Sequence, residues 1–252
     1  IGVSYLPLEW LKLRANYSEG FRMPTSFNLT GGTAGFFVYL PNPNLRPEES
    51  KTLEFGIDVD YKFFTTSLTY FKTDWENKII GVTDYDTYAT TYQNLRKALI
   101  TGIEFSIDID LGQAFGWNFE LSPYLSYTYL IKRLNKDPSQ FLRNGDDTLP
   151  NTAKWTLAYG ATFNYPDYDL MANFNAIYRG PQIFTWPFFY DTYHVITFDF
   201  VIEKGIWNIE GGDYGKIKIR AEINNLFDNC NEVYYDYPGP GRNFYIGLIY
   251  EF

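Results

Sequence analysis

The chain has 252 residues and a net charge of −9, which argues against a nucleic-acid partner because phosphate binding needs a basic surface. It contains one Cys and one His, which excludes an internal disulfide and the usual Cys/His metal clusters. No apolar run approaches the roughly eighteen residues of a transmembrane helix. If the chain crosses a membrane, it is predicted to cross as strands.

Aromatic residues make up 20 % of the chain, although hydrophobic residues together reach only 45 %. Rings without a matching excess of aliphatic residues are typical of membrane–water interfaces, where an amphipathic ring is stable. The other face of such a structure is polar, as in a membrane barrel. The composition therefore favours an all-β membrane protein.

Eleven segments of the chain have strand character. Residues 51–62 show it most clearly, with Leu53, Phe55 and Ile57 on one face and Glu54 and Asp58 on the other. Acids on one face need water or partners, so this face is predicted to line a hydrated lumen while the apolar face contacts lipid. In chain order the predicted strands are residues 1–6, 11–22, 51–62, 65–80, 99–111, 117–132, 152–165, 168–179, 195–203, 216–228 and 243–252.

The remaining acids in alternating positions are assigned to the same lumen face. They are predicted to pair with Lys218, Arg220 or a domain outside this chain, rather than to form a hydrolytic carboxylate pair. A Ser/His/Asp triad is implausible with a single His, so no catalytic residues are predicted and the chain is not expected to be an enzyme. The acids concerned are Glu54, Asp58, Asp60, Glu104, Asp108, Asp110 and Glu222.

The chain ends on an apolar strand that would promote aggregation if it were a free edge. An unprotected apolar edge strand invites pairing with other chains, and a closed barrel removes such an edge. The stretch resembles the C-terminal assembly signal of bacterial outer-membrane barrels, which implies the barrel-assembly machinery as a partner. The alternating residues of this signal are Phe244, Ile246, Leu248, Tyr250 and Phe252.

Connections between the predicted strands alternate between short and long, as in barrels with short periplasmic turns and long outer loops. The last connection is long, so the final strand should run inward and place Phe252 in the periplasm. About eleven strands is an odd number, and bacterial single-chain barrels have even numbers. The chain begins at Ile1 without an initiator Met. We therefore expect residues 1–252 to be a single domain, the C-terminal half of a roughly 22-stranded barrel.

Several short motifs resemble those of TonB-dependent outer-membrane receptors. Residues 17–25 (YSEGFRMPT) are similar to the family's Y-x-x-G-F-R-x-P-T stretch, and residues 42–56 to its N-P-x-L-x-P-E-x-S…x-E-x-G box. The shorter matches are Gly102-Ile103-Glu104, Asn225-Leu226-Phe227-Asp228 and Gly241-Arg242-Asn243. Each motif alone is weak, but their order, the long loops between them and the terminal Phe make the set specific.

This resemblance implies active uptake of a scarce ligand across the bacterial outer membrane, most often a ferric siderophore, haem or cobalamin. It implies the lipid bilayer, the TonB complex and an iron chelate or similar small ligand as partners. TonB would be contacted through an N-terminal part outside this chain. No cofactor and no resident metal are implied.

Aromatic residues in the predicted loops form a candidate ligand platform, since aromatic faces suit siderophores and macrocycles. Packing within the loops, or a place in the interfacial girdle, is the alternative for these rings. Arg22 and Arg242 are instead predicted to be structural hydrogen-bond donors. The candidate binding residues are Tyr85, Tyr88, Tyr92, Phe141, Arg143, Trp186, Phe189 and Tyr190.

Two other classes of protein fit parts of the pattern. A passive outer-membrane pore or an adhesin barrel would need no energy-transducing partner. A soluble all-β binding domain would bury its alternating apolar faces in one interior core.

Overall fold

The computed structural model describes the chain except for residues 36, 85–86, 137–146, 185–189, 192, 209–214 and 235–236. In chain order its elements are β1 (Gly2–Leu8), β2 (Leu11–Arg22), α1 (Ser26–Thr30), β3 (Gly32–Ala34), β4 (Phe37–Leu40), β5 (Glu48–Tyr61), β6 (Phe64–Asp84), β7 (Ala89–Ile109), α2 (Leu111–Phe115), β8 (Glu120–Asn135), β9 (Trp155–Tyr165), β10 (Leu170–Arg179), β11 (Ile183–Phe184), β12 (Tyr190–Asp191), β13 (Val195–Asn208), β14 (Lys216–Asn224), β15 (Glu232–Tyr234), β16 (Tyr237–Pro238) and β17 (Asn243–Glu251).

Eleven of the described strands form one continuous path, each antiparallel to its neighbours, in the order β1-β2-β5-β6-β7-β8-β9-β10-β13-β14-β17. They correspond one to one with the eleven predicted strands, so the all-β fold and the strand number are confirmed. Strands that pair in this path also follow one another in the chain, apart from the short strands within the connections, as in an up-and-down meander. The alternating sequence pattern was sufficient to locate the strands, because one face of such a sheet is apolar and the other is polar along every strand.

The sheet has an apolar outer face and a polar inner face. On β5, Leu53, Phe55 and Ile57 are 39 %, 51 % and 46 % exposed, whereas the intervening Glu54 and Asp58 are more covered. Side chains crowd together on the concave side of a curved sheet and spread apart on its convex side. The polar face is therefore concave, as expected for a barrel wall that surrounds water.

Apolar side chains do not gather into an interior core. The buried hydrophobic residues among those described are Ile79, Ala98, Leu99, Leu149 and Ala176. The large apolar residues instead lie exposed along the outer face, where lipid would cover them. This arrangement contradicts the soluble-domain alternative, which predicted a single apolar interior.

Hydrogen bonds between neighbouring strands connect the inner face. Arg14 Nε lies 3.1 Å from Asp58 Oδ2, and the Ser67 hydroxyl donates to Asp58 at 2.7 Å. A Cβ at Gly56 would lie 2.6 Å from the Arg14 guanidinium carbon, so a side chain here would displace Arg14 from its position beside Asp58. The prediction that Glu222 pairs with Arg220 is confirmed at 2.9 Å. For Asp58 the predicted basic partners were wrong, because β2 brings Arg14 beside it.

The hairpin of β6 and β7 is longer than the sequence predicted. Each strand has 21 residues, and pairing continues to Asp84 opposite Ala89. The predicted strands 65–80 and 99–111 left residues 81–98 as their connection, and this connection is wrong in extent because β-branched and aromatic residues there favour strand. About nine to eleven tilted residues cross a bilayer, so roughly half of this hairpin projects beyond it.

The long Gly-, Pro- and Asn-rich stretch 23–50 is predicted by its composition to be a loop, but residues 48–50 belong to β5 and residues 23–47 form a folded segment that we call the strap. Its helix α1 begins with a capping box between Thr25 and Asn28, and β4 pairs in parallel with β7, Val38 opposite Ala89. This parallel pair is an exception in an otherwise antiparallel sheet. The Asn42 side chain donates to the Tyr92 carbonyl at 2.8 Å. The strap is thus fixed to the projecting part of the hairpin.

The two ends of the path, β1 and β17, are not paired with each other in the described part of the chain. Every second residue of β17 is exposed, from 53 % at Tyr250 to 79 % at Ile246, and the terminal Phe252 is fully exposed. The chain therefore forms an open portion of a barrel wall, as expected for half of a larger barrel. No helix in the described ranges is long and apolar enough to span a membrane.

Candidate functional site at the long-loop end of the sheet

The two ends of the sheet differ in their connections. At one end the strands are joined by the two-residue turns 9–10 and 62–63 and by the short turn at 166–169. At the other end lie the strap and the long connections that follow β8, β10 and β14. Long connections of this kind carry the ligand contacts of many proteins, so we describe the side chains at this second end.

Four residues form what we call the mouth cluster: Arg22, Glu48, Trp75 and Lys78. A single oxygen of Glu48 accepts from the Arg22 guanidinium at 2.8 Å and from the Ile79 backbone amide at 2.7 Å. This carboxylate joins the adjoining ends of β2 and β5 to the interior of β6. The cluster is consequently fixed by the sheet rather than by a loop.

The family-like motifs explain part of this geometry. Arg22 closes the G-F-R motif and Glu48 stands in the P-E motif, and the two residues form the last pair between β2 and β5. The Arg22 side chain donates to Glu48, and the Arg242 guanidinium donates to the Leu226 carbonyl at 3.4 Å. The predicted structural donor roles of both arginines are confirmed.

Lys78 and Trp75 meet because Asn77, between them, departs from the regular strand conformation. In a regular strand, residues three apart point to opposite faces. Asn77 has a positive φ of 55°, and the Lys78 ammonium lies 5.3 Å from the centre of the Trp75 ring. This distance is within the range of a cation–π contact.

The mouth cluster contains two cations and one anion. Burial lowers the pKa of Lys78, while the charge of Glu48 raises it and that of Arg22 lowers it. The only carboxylate of the cluster forms its ion pair with Arg22. No ion pair to Lys78 is found among the described residues, and the Trp75 ring and the more distant charge of Glu48 are what stabilise its ammonium.

A second group at this end is aromatic. The ring of Tyr39 in the strap stacks on that of Tyr92 in β7, with centres 5.9 Å apart and planes 14° apart, and Phe27 contacts both. Burial raises the pKa of the Tyr92 hydroxyl, and Tyr39 adds to this rise. Tyr92 thus lies on a strand and packs against the strap, and its predicted role in ligand binding stays a prediction.

The other predicted ligand-binding residues are not brought together in the described structure. Tyr88 lies at the tip of the β6–β7 hairpin and is 72 % exposed. Tyr190 begins β12, and its side chain lies outside the described part. The residues that lie entirely outside the described ranges are Tyr85, Phe141, Arg143, Trp186 and Phe189.

Sequence reasoning missed Trp75 and Lys78 as candidate site residues. Both fall inside the predicted strand 65–80, where regular alternation assigns them to opposite faces. An Asn in the middle of a strand, at residue 77, was the available signal, since Asn adopts positive φ more readily than most residues. In the described ranges no group of three or more His, Cys, Asp or Glu side chains could hold a metal ion.

Together, the polar inner face, the apolar outer face and the open antiparallel meander define a wall of a membrane β-barrel. Residues 1–226 match the model of the TonB dependent receptor-like β-barrel family. The chain belongs to this family, whose members are outer-membrane transport receptors and not enzymes. The fold that the motifs implied is therefore confirmed.

One similar protein of known sequence is a hemoglobin-binding protein. Over 181 residues the chain is 32 % identical to hemoglobin and hemoglobin-haptoglobin-binding protein A of Haemophilus influenzae. The aligned region covers 66 % of this chain and 16 % of that protein. The chain therefore spans less than a fifth of this relative.

Two solved structures show the same fold. The siderophore receptor PirA from Acinetobacter baumannii superimposes with a TM-score of 0.71 at 19 % identity, covering 100 % of this chain and 40 % of that one. A mutant ferric enterobactin receptor, PfeA from Pseudomonas aeruginosa, in complex with enterobactin gives 0.71 at 21 % identity, covering 98 % and 39 %. At these identities the likeness shows the fold alone, and the chain spans about two fifths of each receptor.

Proposed function

We propose that the chain is the C-terminal wall of an outer-membrane receptor that takes up a scarce ligand with energy delivered through TonB. The observation that carries this proposal is the sheet itself, a membrane wall with a water-facing inner side in a chain of this receptor family. The TonB complex would act through an N-terminal part of the receptor, and the barrel-assembly machinery would use the exposed terminal strand.

In this proposal the long-loop end faces the outside of the cell. Outer-membrane barrels have short periplasmic turns and longer extracellular loops. The strap, Tyr88 and the mouth cluster would then meet the ligand first, and Phe252 would lie in the periplasm. The polar inner face, with pairs such as Arg14–Asp58 and Arg220–Glu222, would line the hydrated path.

The ligand we propose is an iron chelate or haem. Two similar structures are receptors for siderophores, and the similar Haemophilus protein binds hemoglobin. Exposed rings at the hairpin tip and in the neighbouring connections suit large aromatic ligands. Membership of the receptor family favours energised uptake over a passive pore or an adhesin.

Iron accumulation in cells tests this function. The complete receptor is expressed in a strain without other iron-chelate receptors, with and without TonB, and radioactive iron is supplied as a ferric siderophore or as haem. We expect accumulation that depends on the receptor and that ceases when TonB is absent or the proton gradient is collapsed. Uptake at the same rate without TonB would support a passive pore and contradict the proposal.

A further inference from the structure

We propose that Lys78 and Trp75 form a subsite for a planar, aromatic group of the ligand that carries negatively charged oxygens. The inference rests on the proposed uptake function and names the chemistry that the mouth cluster recognises. Catecholates of a siderophore and the porphyrin carboxylates of haem share this chemistry.

The geometry supplies a ring and a charge side by side. The Lys78 ammonium lies 5.3 Å from the centre of the Trp75 ring, and both side chains are partly exposed. A planar group that stacks beside the indole would place its oxygens within reach of the ammonium. Lysine donates up to three hydrogen bonds, so it can contact more than one oxygen.

The charges leave Lys78 available. Glu48 is the carboxylate of the cluster, and its Oε1 is engaged by Arg22 at 2.8 Å and by the Ile79 amide at 2.7 Å. Glu48 therefore forms its ion pair with Arg22 and acts on Lys78 only through its more distant charge. A partly buried cation without an ion pair is costly, and an incoming anion recovers part of that cost.

The charges elsewhere in the chain distinguish Lys78 from its surroundings. The net charge of the chain is −9, so its surface on average repels anions. The nearby Lys97 forms an ion pair with Glu76 at 3.2 Å and is already compensated. Lys78 therefore offers an anionic ligand a cation that no carboxylate pairs with in the described structure, whereas a neutral chelate gains no ion pair there.

Binding to the complete purified receptor in detergent tests the subsite. Three probes are titrated by calorimetry: a ferric tris-catecholate, iron protoporphyrin and an uncharged ferric tris-hydroxamate. We expect wild-type protein to bind the catecholate or the protoporphyrin, and Lys78→Met and Trp75→Leu each to weaken that binding about tenfold or more. Lys97→Met, a lysine removed from the same hairpin, should bind like wild type.

A conservative variant separates charge from folding. Lys78→Arg keeps the cation and should retain most of the affinity, and all variants should share the urea midpoint of the wild type. Unchanged binding of both anionic probes by Lys78→Met, or wild-type binding of the neutral hydroxamate alone, would overturn the subsite while the uptake function stands. Wild-type protein that binds none of the three probes would overturn the iron-chelate function itself, and the subsite with it.

Discussion

Replacing Asn225 by Ala is expected to lower the free energy of unfolding by about 3 kcal/mol, because several buried hydrogen bonds are lost together. Asn225 is 5 % exposed, and its side chain accepts from the Asn229 amide at 2.9 Å and donates to the Asn229 carbonyl at 2.9 Å. Its φ is 52°, a conformation that costs Ala about 1 kcal/mol or more. The side chain of Asn225, the first residue of the N-L-F-D motif, therefore stabilises the turn that this motif forms.

The loss of these hydrogen bonds should also destabilise the last strand, β17. The turn that Asn225 stabilises places Asp228 to accept from the Arg242 amide at 2.8 Å, immediately before β17. Urea unfolding of the complete receptor in detergent, followed by tryptophan fluorescence, measures the effect. Asn118→Ala is the matched control, because Asn118 is exposed and makes one bond, to the Tyr165 hydroxyl at 3.0 Å. Equal midpoints for the two variants would refute the role of Asn225.

Replacing Gly160 by Val is expected to destabilise the sheet by about 3 kcal/mol, through overpacking in a site without space. A Cβ at this position would lie 2.1 Å from the Phe174 carbonyl oxygen and 2.6 Å from the Tyr124 hydroxyl. Gly160 pairs with Tyr124 on β8 and with Asn175 on β10, and Tyr124 donates to the Asn175 side chain at 2.8 Å. The added side chain must displace backbone or break this bond.

A second glycine gives the control for this experiment. Gly81 lies in β6, away from the edges of the sheet, and the first atom that a Cβ there would meet is the side-chain Thr90 Cγ2 at 3.3 Å. Gly81→Val should therefore lower the yield of folded receptor and its urea midpoint far less than Gly160→Val. The prediction fails if the Gly160 and Gly81 variants fold equally well.

The strands were predictable from sequence because each one alternates between lipid and water. The simplest example is in β5, where the apolar Leu53 and Phe55 alternate with the acidic Glu54. This alternation can be recognised without knowing which strands lie next to β5. The motifs added the family, since G-F-R and P-E are recognisable without knowing that Arg22 contacts Glu48. Local pattern and short motifs were thus sufficient for the fold.

The strap and the mouth cluster were not predictable in the same way. The strap pairs Val38 with Ala89, a contact between residues 51 positions apart in sequence that no local periodicity encodes. Lys78 reaches Trp75 only because Asn77 leaves the regular strand conformation. Contacts that depend on a single irregular residue, or on a folded connection, need the three-dimensional structure.

The orientation of the sheet is the claim on which the proposed function most depends, and cysteine labelling tests it directly. In a complete receptor freed of other cysteines, Cys230 included, single cysteines are placed at Tyr88 in the hairpin tip and at Asp167 in the β9–β10 turn. A membrane-impermeant maleimide added to intact cells should label Tyr88→Cys and reach Asp167→Cys only after the envelope is permeabilised. Labelling of Asp167→Cys and not Tyr88→Cys on intact cells would place the mouth cluster in the periplasm and contradict the account.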